Sequence, residues 1–255
     1  MSDAWIRAIV ALPFGLGVGS FMTVAAYRLP KGESVVRPRS RCPSCGAEIG
    51  ARDNVPVLSW LLLRGRCRRC GERISVEYPL LELATAALVV LAAIRYPNPW
   101  QAGLVGGLLA LMPGIALIDL RHRIIPNRLT YPALLLFSLV VLLAWLIGSA
   151  ANPARAGIGL LLYGGILFVV AVISRGMGMG DVKLALLLGA MLGRLVGVGL
   201  MLGMLAALVP SIVLLARHGS AARKMGIPFA PFLALGALIA LFFGDQLLHA
   251  YLSTF

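Results

Sequence analysis

Residues 129–154 read LTYPALLLFSLVVLLAWLIGSAANPA, a run of 26 residues without Asp, Glu, Lys or Arg. A helix crosses the hydrocarbon core of a bilayer with about 20 apolar residues, so this stretch predicts a transmembrane helix. Further charge-free runs of similar length occupy 8–27, 96–118, 156–174, 195–216 and 225–244. Two shorter runs, 83–94 and 184–193, bring the expected number of helices to about eight.

The composition excludes a soluble single-domain enzyme. The chain of 255 residues is 60% hydrophobic and 13% charged, whereas soluble domains are about 45–50% apolar and about 25% charged. Disorder is excluded too, because the chain has ample apolar surface to bury. The long, continuous runs favour helices over the alternating strands of about 10 residues found in membrane β-barrels. We therefore predict an all-α polytopic membrane protein, with 8–27 retained as its first helix.

The positive charge predicts the topology. Lys and Arg number 23 against 10 Asp and Glu, and 19 of the 23 lie in the segments 28–78, 121–128, 175–183 and 217–224. These segments alternate with the predicted helices so that all four face one side, which the positive-inside rule identifies as the cytoplasm. Eight crossings place both termini outside. The net positive charge is thus explained by the orientation of the chain in its partner, the lipid bilayer. No nucleic-acid partner is expected.

All four cysteines lie in the largest polar segment, 28–78. Two C-x-x-C pairs, Cys42 with Cys45 and Cys67 with Cys70, are separated by 21 residues. Such paired spacing is typical of zinc sites, and four thiolates complete a closed structural site. Two disulfides or four free thiols are the alternatives. We expect three parts: a first transmembrane helix at 1–27, a zinc-stabilised cytoplasmic insertion at 28–78 and a helical core at 79–255.

Three acids are expected at helix ends within the membrane, where carboxyl groups are costly and usually functional. Asp119 and Asp181 are both predicted at the cytoplasmic face, where a close pair sharing one proton performs aspartic-protease chemistry. The alternatives are an N-cap for Asp181, an ion pair of Asp119 with Arg121 or Arg123, and a proton-coupled transporter. Glu82 either has a functional role, by supporting activity or orienting the loop, or is a helix-start carboxylate satisfied by the cytoplasmic basic residues, and we favour the latter.

These residues belong to a longer ordered set of motifs. The set comprises GSF at 19–21, YRLP at 27–30, RSRCPSC at 39–45, DNVPVLSW at 53–60, LRGRCRRC at 63–70, IS at 74–75, YPLLE at 78–82, IDL at 118–120, IPNRLT at 125–130, GMGDVK at 178–183 and IPFAPFLA at 227–234. With this set the chain resembles the type IV prepilin peptidases, membrane aspartic peptidases of the G-x-G-D type, along essentially its whole length.

The resemblance implies an activity and its site. It implies that Asp119 and Asp181 cleave the leader of prepilins and related pseudopilins on the cytoplasmic side of the bacterial inner membrane. Members with the four-Cys loop are usually credited also with N-methylation of the new terminus by S-adenosylmethionine. Thr23 stands where the family often has Asn, which leaves methylation less secure than cleavage. No residue is assigned to the methyl donor.

Overall fold

A computed structural model describes residues 3–148, 152–174, 178–219 and 226–253, which form two compact units, Met1–Gly114 and Ile115–Phe255. The described part contains α-helices and no named strand, which confirms the predicted all-α class. The helices are α1 (Asp3–Arg28), α2 (Leu58–Leu62), α3 (Glu77–Arg95), α4 (Pro99–His122), α5 (Asn127–Leu146), α6 (Pro153–Ser174), α7 (Met179–Leu192), α8 (Val196–His218) and α9 (Ala230–Leu252). Short 3-10 helices lie at Leu29–Lys31, Ala51–Asp53 and Gly193–Leu195.

Seven of the described helices are long and apolar enough to cross a bilayer: α1, α3, α4, α5, α6, α8 and α9. The chain is therefore a multi-pass membrane protein. The division into a first helix, a cytoplasmic insertion and a helical core depends on membrane position and stays a prediction.

The eighth predicted helix, at 184–193, corresponds to α7. This helix begins earlier, at Met179, and contains 14 residues. Its length is about 21 Å, against a hydrocarbon core of about 30 Å. Leu184, Leu187 and Leu188 are fully buried, so neighbouring helices of its unit surround α7. A complete crossing by this helix stays a prediction.

In the first unit, α1 packs directly on α3 through small residues. A Cβ atom built on Gly15 would lie 2.7 Å from the Cα atom of Ala86, and one on Gly19 would lie 2.7 Å from the Cα atom of Glu82. Membrane helices associate by such close backbone approach, because lipid tails solvate apolar side chains as well as protein does. These glycines therefore bring the Glu82 backbone against α1.

In the second unit, glycines also allow close packing within two helix pairs. The backbones of Gly159 on α6 and Gly189 on α7 are in direct contact. On α8, a Cβ atom at Gly203 would lie 3.0 Å from the carbonyl oxygen of Phe232 on α9. Close packing of this kind fixes the height of α7 against α6. It thereby fixes the position of Asp181 in the first turn of α7.

Candidate functional site

Each C-x-x-C pair lies in a short hairpin, and the two hairpins repeat the same hydrogen bonds. The N–H of Cys42 donates to Ala47 O over 2.9 Å, and the N–H of Cys67 donates to Glu72 O over 2.8 Å. The glycine after each second cysteine has a positive φ, 69° at Gly46 and 71° at Gly71. This left-handed conformation turns the chain so that both thiols of a pair face one centre.

The four sulfur atoms form one cluster. The Sγ atoms of Cys42, Cys45, Cys67 and Cys70 all lie within 4.8 Å of one another, so this group could hold a metal ion. Tetrahedral zinc with bonds of about 2.3 Å separates its sulfur ligands by about 3.8 Å. The Sγ atoms of Cys42 and Cys70 are 3.8 Å apart. The donor set and its spacing therefore fit zinc.

The hairpin backbones favour the thiolate form of Cys42 and Cys67. The N–H groups of Cys45 and Ser44 lower the pKa of the Cys42 thiol to about 6. Those of Cys70 and Arg69 lower the pKa of Cys67. A thiolate present near neutral pH is ready to bind a metal without first losing a proton.

A basic residue between the cysteines of the second pair is held by an acid. Arg68 makes an ion pair of 2.7 Å with Asp53. The guanidinium of Arg68 lowers the pKa of Asp53 by hydrogen bonding. This pair ties the second hairpin to the Ala51–Asp53 turn between the hairpins.

Asp119 lies in the last turn of α4 and is 4% exposed. Its Oδ2 atom accepts a hydrogen bond of 2.9 Å from the N–H of Ala230, the first residue of α9. The first N–H groups of a helix lack partners within the helix and favour a negative charge. Sequence reasoning missed this partner. A backbone donor carries no signature of residue type, so the sequence held no signal for this contact.

Asp181 is partly buried in the first turn of α7. The N-cap of this helix is Gly178, so the N-cap alternative for Asp181 is wrong. A Cβ atom on Gly178 would lie 3.6 Å from Oδ2 of Asp181, and one on Gly180 would lie 3.0 Å from Cβ of Ile125. The two described glycines of the G-x-G-D motif therefore keep bulk away from the carboxyl group. Gly176 and Met177, which precede them, lie outside the described residues, as do 220–224 of the basic segment 217–224.

Asp119 and Asp181 lie in the same unit, one in the last turn of α4 and the other in the first turn of α7. Burial is the main electrostatic effect on Asp181, and the charge of Asp119 adds to it. Nearby, the Nζ atom of Lys183 donates to Oδ1 of Asn127 over 2.9 Å and so ties the start of α7 to the start of α5. Two neighbouring carboxyl groups that cannot both ionise cheaply are able to act as base and acid. The arrangement is therefore chemically competent for hydrolysis by an activated water.

Glu82 has a different environment from the expected one. Its Oε2 atom accepts a hydrogen bond of 2.7 Å from the N–H of Val57, and its side chain is 7% exposed. Within the described residues no Lys or Arg nitrogen forms an ion pair with it. The expectation of basic partners is therefore wrong. Val57 has a φ of 61°, an unusual value for a β-branched residue, and this conformation turns its N–H towards α3.

Two family models match the chain. The model described as the bacterial peptidase A24 N-terminal domain matches residues 14–96. The model of the type IV leader peptidase family matches residues 104–244, which include both aspartates. These matches confirm the resemblance seen in the motifs and favour a peptidase over the transporter alternative.

Curated proteins similar to the chain carry the name prepilin leader peptidase/N-methyltransferase. The protein of Aeromonas salmonicida strain A449 is 36% identical over 98% of this chain and 95% of its own length. The protein of Bacillus subtilis strain 168 is 34% identical over 94% of this chain and 95% of its own length. The protein of Pseudomonas aeruginosa is 34% identical over 93% of this chain and 91% of its own length. The comparison with solved structures finds no match.

Proposed function

Because the chain belongs to the type IV leader peptidase family, we propose that it is a membrane-embedded aspartic endopeptidase that removes the leader of type IV prepilins and related pseudopilins. The observation that carries this proposal is the placement of two acids at helix ends of one unit, Asp119 at the end of α4 and Asp181 at the start of α7, with Asp119 held by the start of α9. The enzyme lies in the bacterial inner membrane. The two aspartates lie at its cytoplasmic face, where the basic segments are also found.

Asp119 and Asp181 divide the proton transfers between them. The carboxylate of Asp119, held by the N–H of Ala230, accepts a proton from the attacking water. Asp181 carries a proton and donates a hydrogen bond to the carbonyl oxygen of the scissile peptide. As the tetrahedral intermediate collapses, Asp119 passes the proton that it took from the water to the leaving amine and returns to its carboxylate form. This is the chemistry of aspartic proteases, in which one proton is shared between two carboxyl groups.

The four cysteines hold zinc in a structural role. The cluster offers four sulfur ligands within 4.8 Å and hence no open coordination position. A segment of about 50 residues buries little core, so a metal staple supplies much of its folding energy. The zinc thus supports the cytoplasmic insertion rather than the hydrolysis.

The second activity is N-methylation of the terminus exposed by cleavage. This part of the proposal comes from the N-methyltransferase in the relatives' names. S-adenosylmethionine supplies the methyl group in such a reaction. Cleavage and methylation act on the same end of one substrate, so the two activities are measured together on the cleaved product.

The test is cleavage of a prepilin by the purified full chain in detergent micelles. Asp119→Asn and Asp181→Asn are each expected to abolish cleavage while the protein still inserts. Asp3→Asn, the same change at an exposed acid in the first turn of α1, serves as the matched control. Substantial turnover by either of the first two variants contradicts the assignment of the pair.

A further inference from the structure

The first unit contains a large cavity between the cysteine hairpins and the adjoining ends of α1 and α3. Its volume is about 950 Å³, within the range of about 300–1,000 Å³ typical of sites for small ligands. Thr23 and Arg28 line it from α1, Trp60 from α2 and Glu82 from α3. Cys42 and Cys67 belong to the same lining, so the metal cluster and the cavity share a wall. The hydrolytic pair lies in the other unit and makes no use of this space.

The walls of this cavity are held by buried polar groups. The guanidinium of Arg28, which is 8% exposed, donates to the carbonyl oxygens of Ser34 and Pro38 over 3.0 and 2.8 Å. Arg28 therefore binds the loop backbone, and it forms no ion pair with Glu82. The indole N–H of Trp60 donates to Ile74 O over 3.1 Å and fixes the ring against the second hairpin.

Glu82 is a buried carboxyl group on the wall of this cavity. The N–H of Val57 donates to its carboxylate over 2.7 Å, yet no Lys or Arg among the described residues pairs with it. A buried carboxylate without a counter-charge is strongly unfavourable. A carboxylate kept in this state on the wall of a cavity is suited to a cationic ligand.

We propose that this cavity binds S-adenosylmethionine and that Glu82 receives the positively charged methionine part of the donor. The inference rests on the methyltransferase part of the proposed function. The donor combines a flat nucleoside with a sulfonium and an ammonium group. Trp60 and Tyr78 supply aromatic surface in the lining for the nucleoside, and Glu82 supplies the buried negative charge. Zinc stabilises the hairpins that close the cavity, which links the metal to methylation.

The first test measures equilibrium binding to the purified, metal-loaded full chain. The probes are S-adenosylmethionine and methylthioadenosine, which keeps the nucleoside and lacks both cationic groups. Glu82→Gln is expected to weaken S-adenosylmethionine binding by at least about tenfold, because contacts to charged groups are the strong ones. Binding of methylthioadenosine should change by less than about twofold, since the neutral part of the site is intact.

Glu77→Gln is the matched control. Glu77 is exposed in the first turn of α3 and lies outside the cavity lining. It should leave both affinities unchanged. Equal binding of S-adenosylmethionine by the wild type and Glu82→Gln overturns the inference. An equal loss of both probes overturns the charge-recognition role and makes Glu82 a structural residue.

A second measurement uses the unmodified chain and so does not depend on how the variants fold. Hydrogen exchange with and without S-adenosylmethionine should show protection of the amides of 33–63, which close the cavity. Protection confined to the second unit overturns the inference. If the wild type neither binds the donor nor methylates a cleaved prepilin, the methyltransferase proposal fails as well. If it methylates while Glu82→Gln binds the donor normally, only the present assignment fails.

Discussion

Replacing Asp119 by Asn and by Ala should give two inactive proteins that differ in stability. Both changes remove the carboxylate that we propose takes the proton from water. Only the Ala variant also removes the acceptor for the N–H of Ala230, which donates to Oδ2 over 2.9 Å at a buried position. Asn keeps an acceptor, because its amide oxygen can occupy the place of Oδ2.

The structure sets the size of this difference. A buried donor left without a partner costs about 1–3 kcal/mol. For a chain of this length, 1 kcal/mol corresponds to about 2–4 °C in Tm. Asp119→Ala should therefore melt roughly 2–12 °C below Asp119→Asn. Asp119→Asn should melt close to the wild type, since it keeps the hydrogen bond and relieves the burial of a charge.

Activity is measured by following prepilin cleavage by mass spectrometry. A general acid or base contributes about 10²–10⁴ in rate, and residues that act as a unit lose nearly everything when one is removed. Both Asp119 variants should therefore fall by at least about 10³-fold. The wild-type pH–rate profile should be bell-shaped. Its two apparent pKa values should belong to the aspartate pair and not to either residue alone.

Two results would refute this reasoning. If Asp119→Ala and Asp119→Asn have the same Tm, the hydrogen bond from Ala230 does not hold the carboxyl group. If Asp119→Asn cleaves at an appreciable rate, Asp119 is not the base. The two results are independent, because one concerns the fold around α9 and the other concerns proton transfer.

Three further predictions concern the metal, the packing and the topology. Elemental analysis of reduced protein should find one zinc ion per chain, and Cys70→Ser should lose most of the bound zinc. Wild-type protein without zinc would contradict this prediction. Gly19→Ala should lower Tm, because its Cβ would meet the Cα of Glu82 at 2.7 Å, whereas Gly17→Ala, with open space around it, should not; equal effects would argue against tight α1–α3 packing. A reporter active only in the cytoplasm should be active after Lys224 and silent after Phe255, and the reverse pattern would mean seven crossings.

Hydropathy and spacing were enough to predict the membrane class, most of the helices and the cysteine cluster. These features are local: an apolar run long enough to cross the bilayer must be helical in lipid, because every backbone group needs an internal partner there. The C-x-x-C pairs likewise carry their own geometry, since each pair folds as a five-residue turn around its glycine. The two aspartates were identifiable because acids are rare and costly in such a chain.

Tertiary structure alone decided the partners of the buried carboxyl groups. Asp119 meets the N–H of a residue 111 positions away, and Glu82 meets the N–H of Val57, 25 positions away, rather than a basic side chain. Backbone donors carry no signature of residue type, so no pattern in the sequence marks them. The short α7 is a similar case, because the burial that replaces lipid around it depends on how α6 and other helices pack against it. Local patterns thus determine which segments are helices, whereas long-range packing determines what each buried charge touches.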